Sequence, residues 1–351
     1  AEARGAVMNA ATDYERTSYF VRCLSADAPA MLDVALSLVF APDHPPEEME
    51  REKGVVLQEI GEAADQPDDL VFELAQAASW AGHPLGLPVL GTEKTLKRVT
   101  RDDLIGFASD SYSPRRTVVS IAGGYDRAAI ERVARRWLEK RSPSSTPTSL
   151  APAASVSGVR AAARDLEQLH LVLARTAPSA TSDDRFAARI FAEVFGGGMA
   201  SRLFQDVRES RGLAYTIDAS CDQYSDAGRI SVYAGCDPKD AAEVARITSD
   251  IWAALAADGP TEAELARARA IAAAQFAMAA EAPAARAGSA AYELLTFDKL
   301  IDVEDVLAQI NAVTAADVRR IGAAALAGPA VAAAVGPKTG LGAAEAFVSG
   351  A

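Results

Sequence analysis

The sequence predicts an α+β protein of two similar domains, each a mainly antiparallel sheet packed with helices. Short β-branched runs and long stretches with apolar residues at helical spacing occur in both halves. Within each half strands are followed by helices instead of alternating with them, which favours segregated layers over βαβ units. Between the halves, RSPSSTPTSLAPAAS (141–155) is rich in Ser, Pro, Thr and Ala and poor in large apolar residues, the composition of a linker. The expected division is therefore 1–142, a linker at 143–155, and 156–351.

In chain order, DAPAMLDVALSLVFA (27–41) reads as an amphipathic helix. A second helix starts at Pro45 and Pro46, because proline suits a first turn and the following Glu47 and Glu48 favour its dipole, and it should run to about Ala64. TVVSIAGG (117–124) reads as a short strand ending in glycines. In the second half LHLVLARTA (169–177) reads as a strand, DDRFAARIFAEVFGGG (183–198) as a helix stopped by glycines, and LAYTIDASC with GRISVYAGC as a hairpin turning near Asp226. Two Ala-rich helices should follow, near 239–257 and 261–286.

Composition narrows the function. Of the 351 residues 50% are hydrophobic and 24% charged, and no apolar run approaches the roughly 18 residues of a membrane span. A formal net charge of −13 with scattered basic residues argues against tracking a nucleic-acid backbone and hints at cationic peptide ligands through steering. Cys23, Cys221 and Cys236 form no C-x-x-C pair, are odd in number and read as buried thiols. The opening AEARGAVMNA has neither an initiator Met nor a signal-peptide profile, so a longer gene product is expected, leaving periplasm and cytoplasm both open.

EREKGVVLQEI (50–60) places Glu52 and Glu59 seven residues apart, within about 20° of each other on a helix and bordering the stripe of Met49, Val56 and Ile60. Spacing alone fits either a solvated face or a paired-carboxylate site. Five stretches in the same order add to it: N-A-x-T at Asn9–Thr12, E-R-E-x-x-V-V-L-Q-E at Glu50–Glu59, H-P-L-G at 83–86, E-Q-x-H at Glu167–His170, and GGGMASRLFQDVRESRGLAY at 196–215. Together they resemble the insulinase/pitrilysin family of inverted zincins, near its mitochondrial processing peptidase-like bacterial branch.

That resemblance implies a zinc metallopeptidase in which Glu59 is a metal ligand and Glu52 orients a ligating histidine. It further implies that Asn9 binds substrate backbone on an edge strand, and that Arg208 and Tyr215 contact substrate or its developing oxyanion from the second half. Without it, Arg208 reads as a surface ion pair, Tyr215 as a half-buried strand aromatic and Asn9 as a turn residue. The family's H-x-x-E-H helix is absent from the 351 residues, and His44, His83 and His170 do not replace it; the chain alone is expected to bind zinc poorly and not to hydrolyse peptides. A peptide substrate and a homodimer enclosing a chamber are implied, with a heterodimer with a related subunit or a non-catalytic partner or scaffold role as alternatives. GGGM (196–199) lacks the Lys-Ser/Thr of a phosphate loop and reads instead as a point of close backbone approach.

Overall fold

A computed structural model describes residues 1–139 and 150–350. In chain order the elements are strands β1 (Val7–Thr12) and β2 (Thr17–Arg22) and helices α1 (Ala28–Phe40), α2 (Pro46–Asp65), α3 (Pro67–Ser79), α4 (Glu93–Leu96), α5 (Arg101–Ser111) and α6 (Arg127–Leu138). Strands β3 (Gly158–Ala163) and β4 (Leu169–Thr176), helix α7 (Arg185–Gly196), a π-helical segment (Phe204–Ser210) and strands β5 (Ala214–Gln223) and β6 (Gly228–Cys236) come next. The chain ends in α8 (Ala241–Asp258), α9 (Glu262–Glu281), α10 (Pro283–Phe297), α11 (Val303–Ala312), α12 (Ala315–Ala327), β7 (Ala330–Gly336) and α13 (Gly342–Ser349). The α+β class is the one expected.

Packing separates two units that interleave in sequence: residues 1–60, 89–150 and 278–301 form the first, and 61–88, 151–277 and 302–351 the second. This is a different partition from the one read off the linker composition. Helix α3 shows why. It packs on β7, β3 and β4 of the second unit, where Val71 and Ala75 meet Val172, Ala333 and Val335. The expected linker lies outside the described residues as far as residue 149. Beyond it, Val156 N–H donates to the Ser79 carbonyl at 3.0 Å, and Ala153 N–H to Asp226 at 3.0 Å.

In the first unit the ladder among the described residues is the antiparallel pair β1–β2, with Asn9 opposite Phe20. Residues 117–122 are outside any ladder, contrary to the strand expected there: β-branched residues favour extension, but among the described residues no neighbouring strand pairs with them. Helix α1 packs on α6, burying Met31, Leu36, Phe40 and Ile130. Asp33 of α1 accepts from Trp137 Nε1 at 2.6 Å and pairs with Arg136, contacts that hold its carboxyl below the usual range.

The second unit holds a five-stranded sheet in the order β3-β7-β4-β6-β5, antiparallel except for the β3–β7 pair. Both faces of β4 are buried: Val172 meets α3, while Leu171 and Leu173, on the opposite face by strand alternation, are also fully excluded from solvent. Trp252 of α8 packs edge-to-face with Phe195 (centroids 4.9 Å) and tilted against Phe191 (5.3 Å) of α7, and donates its indole N–H to the Gly322 carbonyl at 3.3 Å. The β5–β6 hairpin is the expected one. Its register sets Cys221 opposite Ile230 and Cys236 opposite Ala214, so the two thiols do not face each other. All three cysteines are free. Cys236 is buried as expected, whereas Cys23 and Cys221 are only partly covered by residue surface. Burial nonetheless pushes the Cys221 and Cys236 thiols up to about 12. The helix expected at 261–286 is broken in two at Ala282, before Pro283, which cannot donate its missing N–H to a continuing helix.

Candidate active site

Helix α2 begins at Pro46 with Glu47 and Glu48 in its first turn, as the proline and dipole argument requires. Met49, Lys53, Val56, Leu57 and Ile60 make a half-buried stripe, and no residue of the helix is fully buried. Glu52 and Glu59 are exposed beside this stripe. Their neighbours are neutralised at i+3, Glu48 by Arg51 at 2.7 Å and Glu50 by Lys53 at 2.9 Å. Neither Glu52 nor Glu59 has an ion pair or hydrogen bond among the described residues, so both carboxylates keep their lone pairs. Seven residues of helix separate their Cα atoms by about 10 Å along the axis. That is too far for a shared metal bond but leaves room for a side chain between the two.

Zinc needs three or more such donors, and here the residues present fall short. Among the described residues no group of three His, Cys, Asp or Glu converges on one point. His83 Nδ1 accepts from Leu85 N–H at 3.1 Å, which leaves Nε2 to donate to the Ala151 carbonyl at 3.0 Å; both nitrogens are spent fixing a turn. His170 Nδ1 is 2.9 Å from the Tyr233 hydroxyl, and burial lowers its pKa. His44 Nε2 is buried. The described chain therefore presents the free carboxylate of Glu59 but not a complete zinc centre.

Asn9 lies on β1, exposed, with Oδ1 accepting from Ala10 N–H at 2.8 Å. It is a strand residue, not the turn residue that N-A-A-T-D also allowed. Among the described residues β1 has β2 on one side and no strand on the other.

In the second unit Arg208 and Tyr215 are brought to solvent by two local irregularities. The expected helix over SRLFQDVRESRG is an α-turn that widens into a π-helix over Phe204–Ser210, with Leu203 and Val207 fully buried. Gly212 ends it at φ 64°, in the left-handed region a glycine stop supplies. The closing bonds run from Gly212 N–H to the Arg208 carbonyl (3.1 Å) and from Leu213 N–H to the Val207 carbonyl (2.9 Å). Each spans one residue more than the pair that closes an α-helix in a Schellman motif.

Just beyond, Ala214 pairs with Cys236 but Thr216 pairs with Gly235, so Tyr215 is the extra residue of a β-bulge. It is 63% exposed, not half-buried. Arg208 lies over the Phe204 ring at 4.8 Å and, among the described residues, has no carboxylate partner. Nearby Arg211 takes Asp206 at 2.8 Å. The surface ion pair that composition alone suggested for Arg208 is not formed.

The glycine run does provide close approach. A Cβ at Gly196 would lie 2.6 Å from the Ala219 Cβ and 2.7 Å from its backbone nitrogen, so α7 meets β5 at a distance only glycine permits. Sequence reasoning missed what anchors the following loop. Gln205 Nε2 donates to the Met199 carbonyl at 2.7 Å, and Arg267 to the Ala200 carbonyl at 2.7 Å. Arg202 grips Glu264 through two bonds at 2.7 and 2.8 Å, which holds the Glu264 carboxyl down at about 2. A signal existed for Glu264, since Thr261-x-x-Glu264 is a capping-box pattern.

Residues 1–93 match the family profile described as insulinase (peptidase family M16), and residues 98–272 the one described as peptidase M16 inactive domain. The chain is 33% identical over 339 residues to an uncharacterized zinc protease of Mycobacterium bovis, covering 93% of this chain and 77% of that protein. It is 34% identical over 328 residues to one of Streptomyces coelicolor, covering 91% and 72%. Among solved structures it resembles a protease from Helicobacter pylori (TM-score 0.87, 18% identity, 96% of this chain and 83% of that one). A peptidase M16 inactive domain from Pseudomonas fluorescens is similar as well (TM-score 0.84, 20% identity, 96% and 82%). These likenesses agree with the motif order read along the sequence, and the chain belongs to the insulinase (peptidase M16) family.

Proposed function

We propose that this chain is a subunit of a zinc metallopeptidase that cleaves peptides or unfolded segments inside a chamber enclosed by two such chains. The observation that carries this reading is the presentation of its polar side chains. Glu52 and Glu59 stand exposed and unpaired on one face of α2, while Arg208 and Tyr215 stand exposed at the end of the π-helix and on the bulge. Exposure by itself is ordinary for charged side chains; what supports the reading is that these four stand free at the positions the family resemblance marks.

In this reading Glu59 supplies one metal ligand, and Glu52, two helical turns back, accepts a hydrogen bond from a ligating histidine contributed from outside the described residues. Zinc, when bound, supplies Lewis acidity and a water of lowered pKa. The chain's own second-unit residues act on the substrate: the Tyr215 phenol and the Arg208 guanidinium donate hydrogen bonds to its carbonyl groups and to negative charge that develops there. An extended peptide would add to the free edge of β1 beside Asn9, a mode that favours conformation over strict sequence. The working form is a homodimer, with a heterodimer with a related chain as the variant in which these duties are divided.

Zinc stoichiometry by elemental mass spectrometry on the complete gene product tests the proposal. About one zinc per chain, lost in Glu59→Gln, is the expected result. Zinc retained at full occupancy in Glu59→Gln would remove the ligand assignment. A second reading, a non-catalytic partner or scaffold, is favoured by the lack of a complete ligand group among the described residues; a zinc-free complete protein would select it.

A further inference from the structure

The π-helix is an uncommon conformation, and something must hold it. Ser210 is placed to do so. Its hydroxyl donates to the Gln205 carbonyl, five residues back, at 2.7 Å, spanning the widened turn from the outside. The same residue, Gln205, ties the glycine loop to this turn through its amide bond to Met199. On the inner side Leu203 and Val207 are locked in the core with no exposed surface, so the helix cannot rotate to accommodate a different winding.

Returning the segment to α-geometry would remove one residue from the turn. Side chains after it would then swing by about 100° relative to the buried pair. Arg208, inside the widened turn, and the Gly212 stop after it would both be displaced. The Tyr215 bulge is a second one-residue insertion, three residues after that stop, so the aim of both side chains depends on the winding being kept.

We infer that Ser210 is a positioning residue, whose hydroxyl holds the wide turn that aims Arg208, and through Gly212 the bulged Tyr215, at the substrate. It builds on the peptidase reading above but is tested separately from it. Hydrogen exchange on the full chain, comparing Ser210→Ala with Ser210→Thr, reads the turn directly. The Ala variant should speed exchange of the amides at 208–213 about five- to tenfold, with the amides of β4 unchanged, and the Thr variant should restore protection. Unchanged exchange in Ser210→Ala overturns the inference.

A double-mutant cycle then separates aiming from general support. With a fluorescein-labelled basic, unstructured peptide as the probe, Ser210→Ala should weaken binding, and adding it to a chain that already carries Arg208→Ala and Tyr215→Phe should weaken binding no further. Additive losses overturn the positioning role. If the unaltered chain binds no peptide, it is the substrate reading that fails, and the exchange result alone decides the role of Ser210.

Discussion

Removing the charge of Glu264 is the sharpest thermodynamic test of how the second unit is held around its glycine loop. The carboxylate accepts from Arg202 Nε and a terminal guanidinium nitrogen, from Thr261 N–H at 2.8 Å and from the Thr261 hydroxyl at 3.0 Å. These contacts lower its pKa from 4.5 to about 2, the Arg202 bond contributing most and burial opposing it. At 1.36 kcal/mol per unit the depression sets a ceiling of roughly 3 kcal/mol on the ionised form's stabilisation. Both side chains retain some solvent, 24% for Arg202 and 18% for Glu264, so screening reduces this to about 1–2 kcal/mol. Gln can still close a capping box, so Glu264→Gln isolates the ion pair from the cap.

Because the folded pKa is the depressed one, the contribution is present in full above 4.5 and is lost as pH falls towards 2. Urea unfolding followed by Trp80 and Trp252, the two tryptophans of the second unit, should show the variant about 1–2 kcal/mol less stable at neutral pH. That gap should close between pH 4.5 and 2. A gap that did not change across this window, or none at neutral pH, would refute the reasoning.

Glycines at two helical positions should respond oppositely to alanine. Gly322→Ala drives a methyl to 2.8 Å from Phe191 Cε2 in a filled core and should cost about 1–3 kcal/mol, whereas Gly54→Ala in open space on α2 should gain about 0.5–1 kcal/mol, both read by thermal unfolding. Iodoacetamide at pH 8 should label Cys221 and Cys236 far more slowly than a free thiol, since burial holds both near 12; mass spectrometry detecting rapid labelling would contradict it. In the complete, zinc-loaded protein Tyr215→Phe should lower turnover with zinc content retained, and parallel loss of both would assign Tyr215 a structural role instead.

Elements whose signal is local were legible. Pro46 with Glu47 and Glu48 announced α2, the short apolar run of β4 and the Asp226 turn announced the second sheet, and the glycines at 196–198 announced both a helix stop and a close approach. What is set by long-range pairing was not. The β-branched run at 117–122 has the propensity of a strand, yet a ladder needs a neighbour, and propensity says nothing about one. Helix α3 is contiguous in sequence with α2, so nothing local reveals that Val71 and Ala75 belong to the sheet of the other half.

The candidate site divides along the same line. Glu52 and Glu59 were legible as a pair because helical spacing is a strict periodicity and α2 keeps it. Arg208 and Tyr215 were placed only by resemblance, because each sits on a one-residue insertion that breaks the period on which such reasoning rests. A trace of the bulge survives in the sequence: the buried positions Ala214 and Ile217 are three apart where a regular strand would space them by two, leaving Tyr215 and Thr216 both to solvent. No comparable trace marks the π-helix, since Leu203 and Val207 are four apart and satisfy α- and π-winding alike. Insertions of this kind cost ladder and helix bonds, and here both fall within eight residues of each other on the segment that presents Arg208 and Tyr215. That coincidence is what makes the segment, rather than either side chain alone, the unit on which function in the second half should depend.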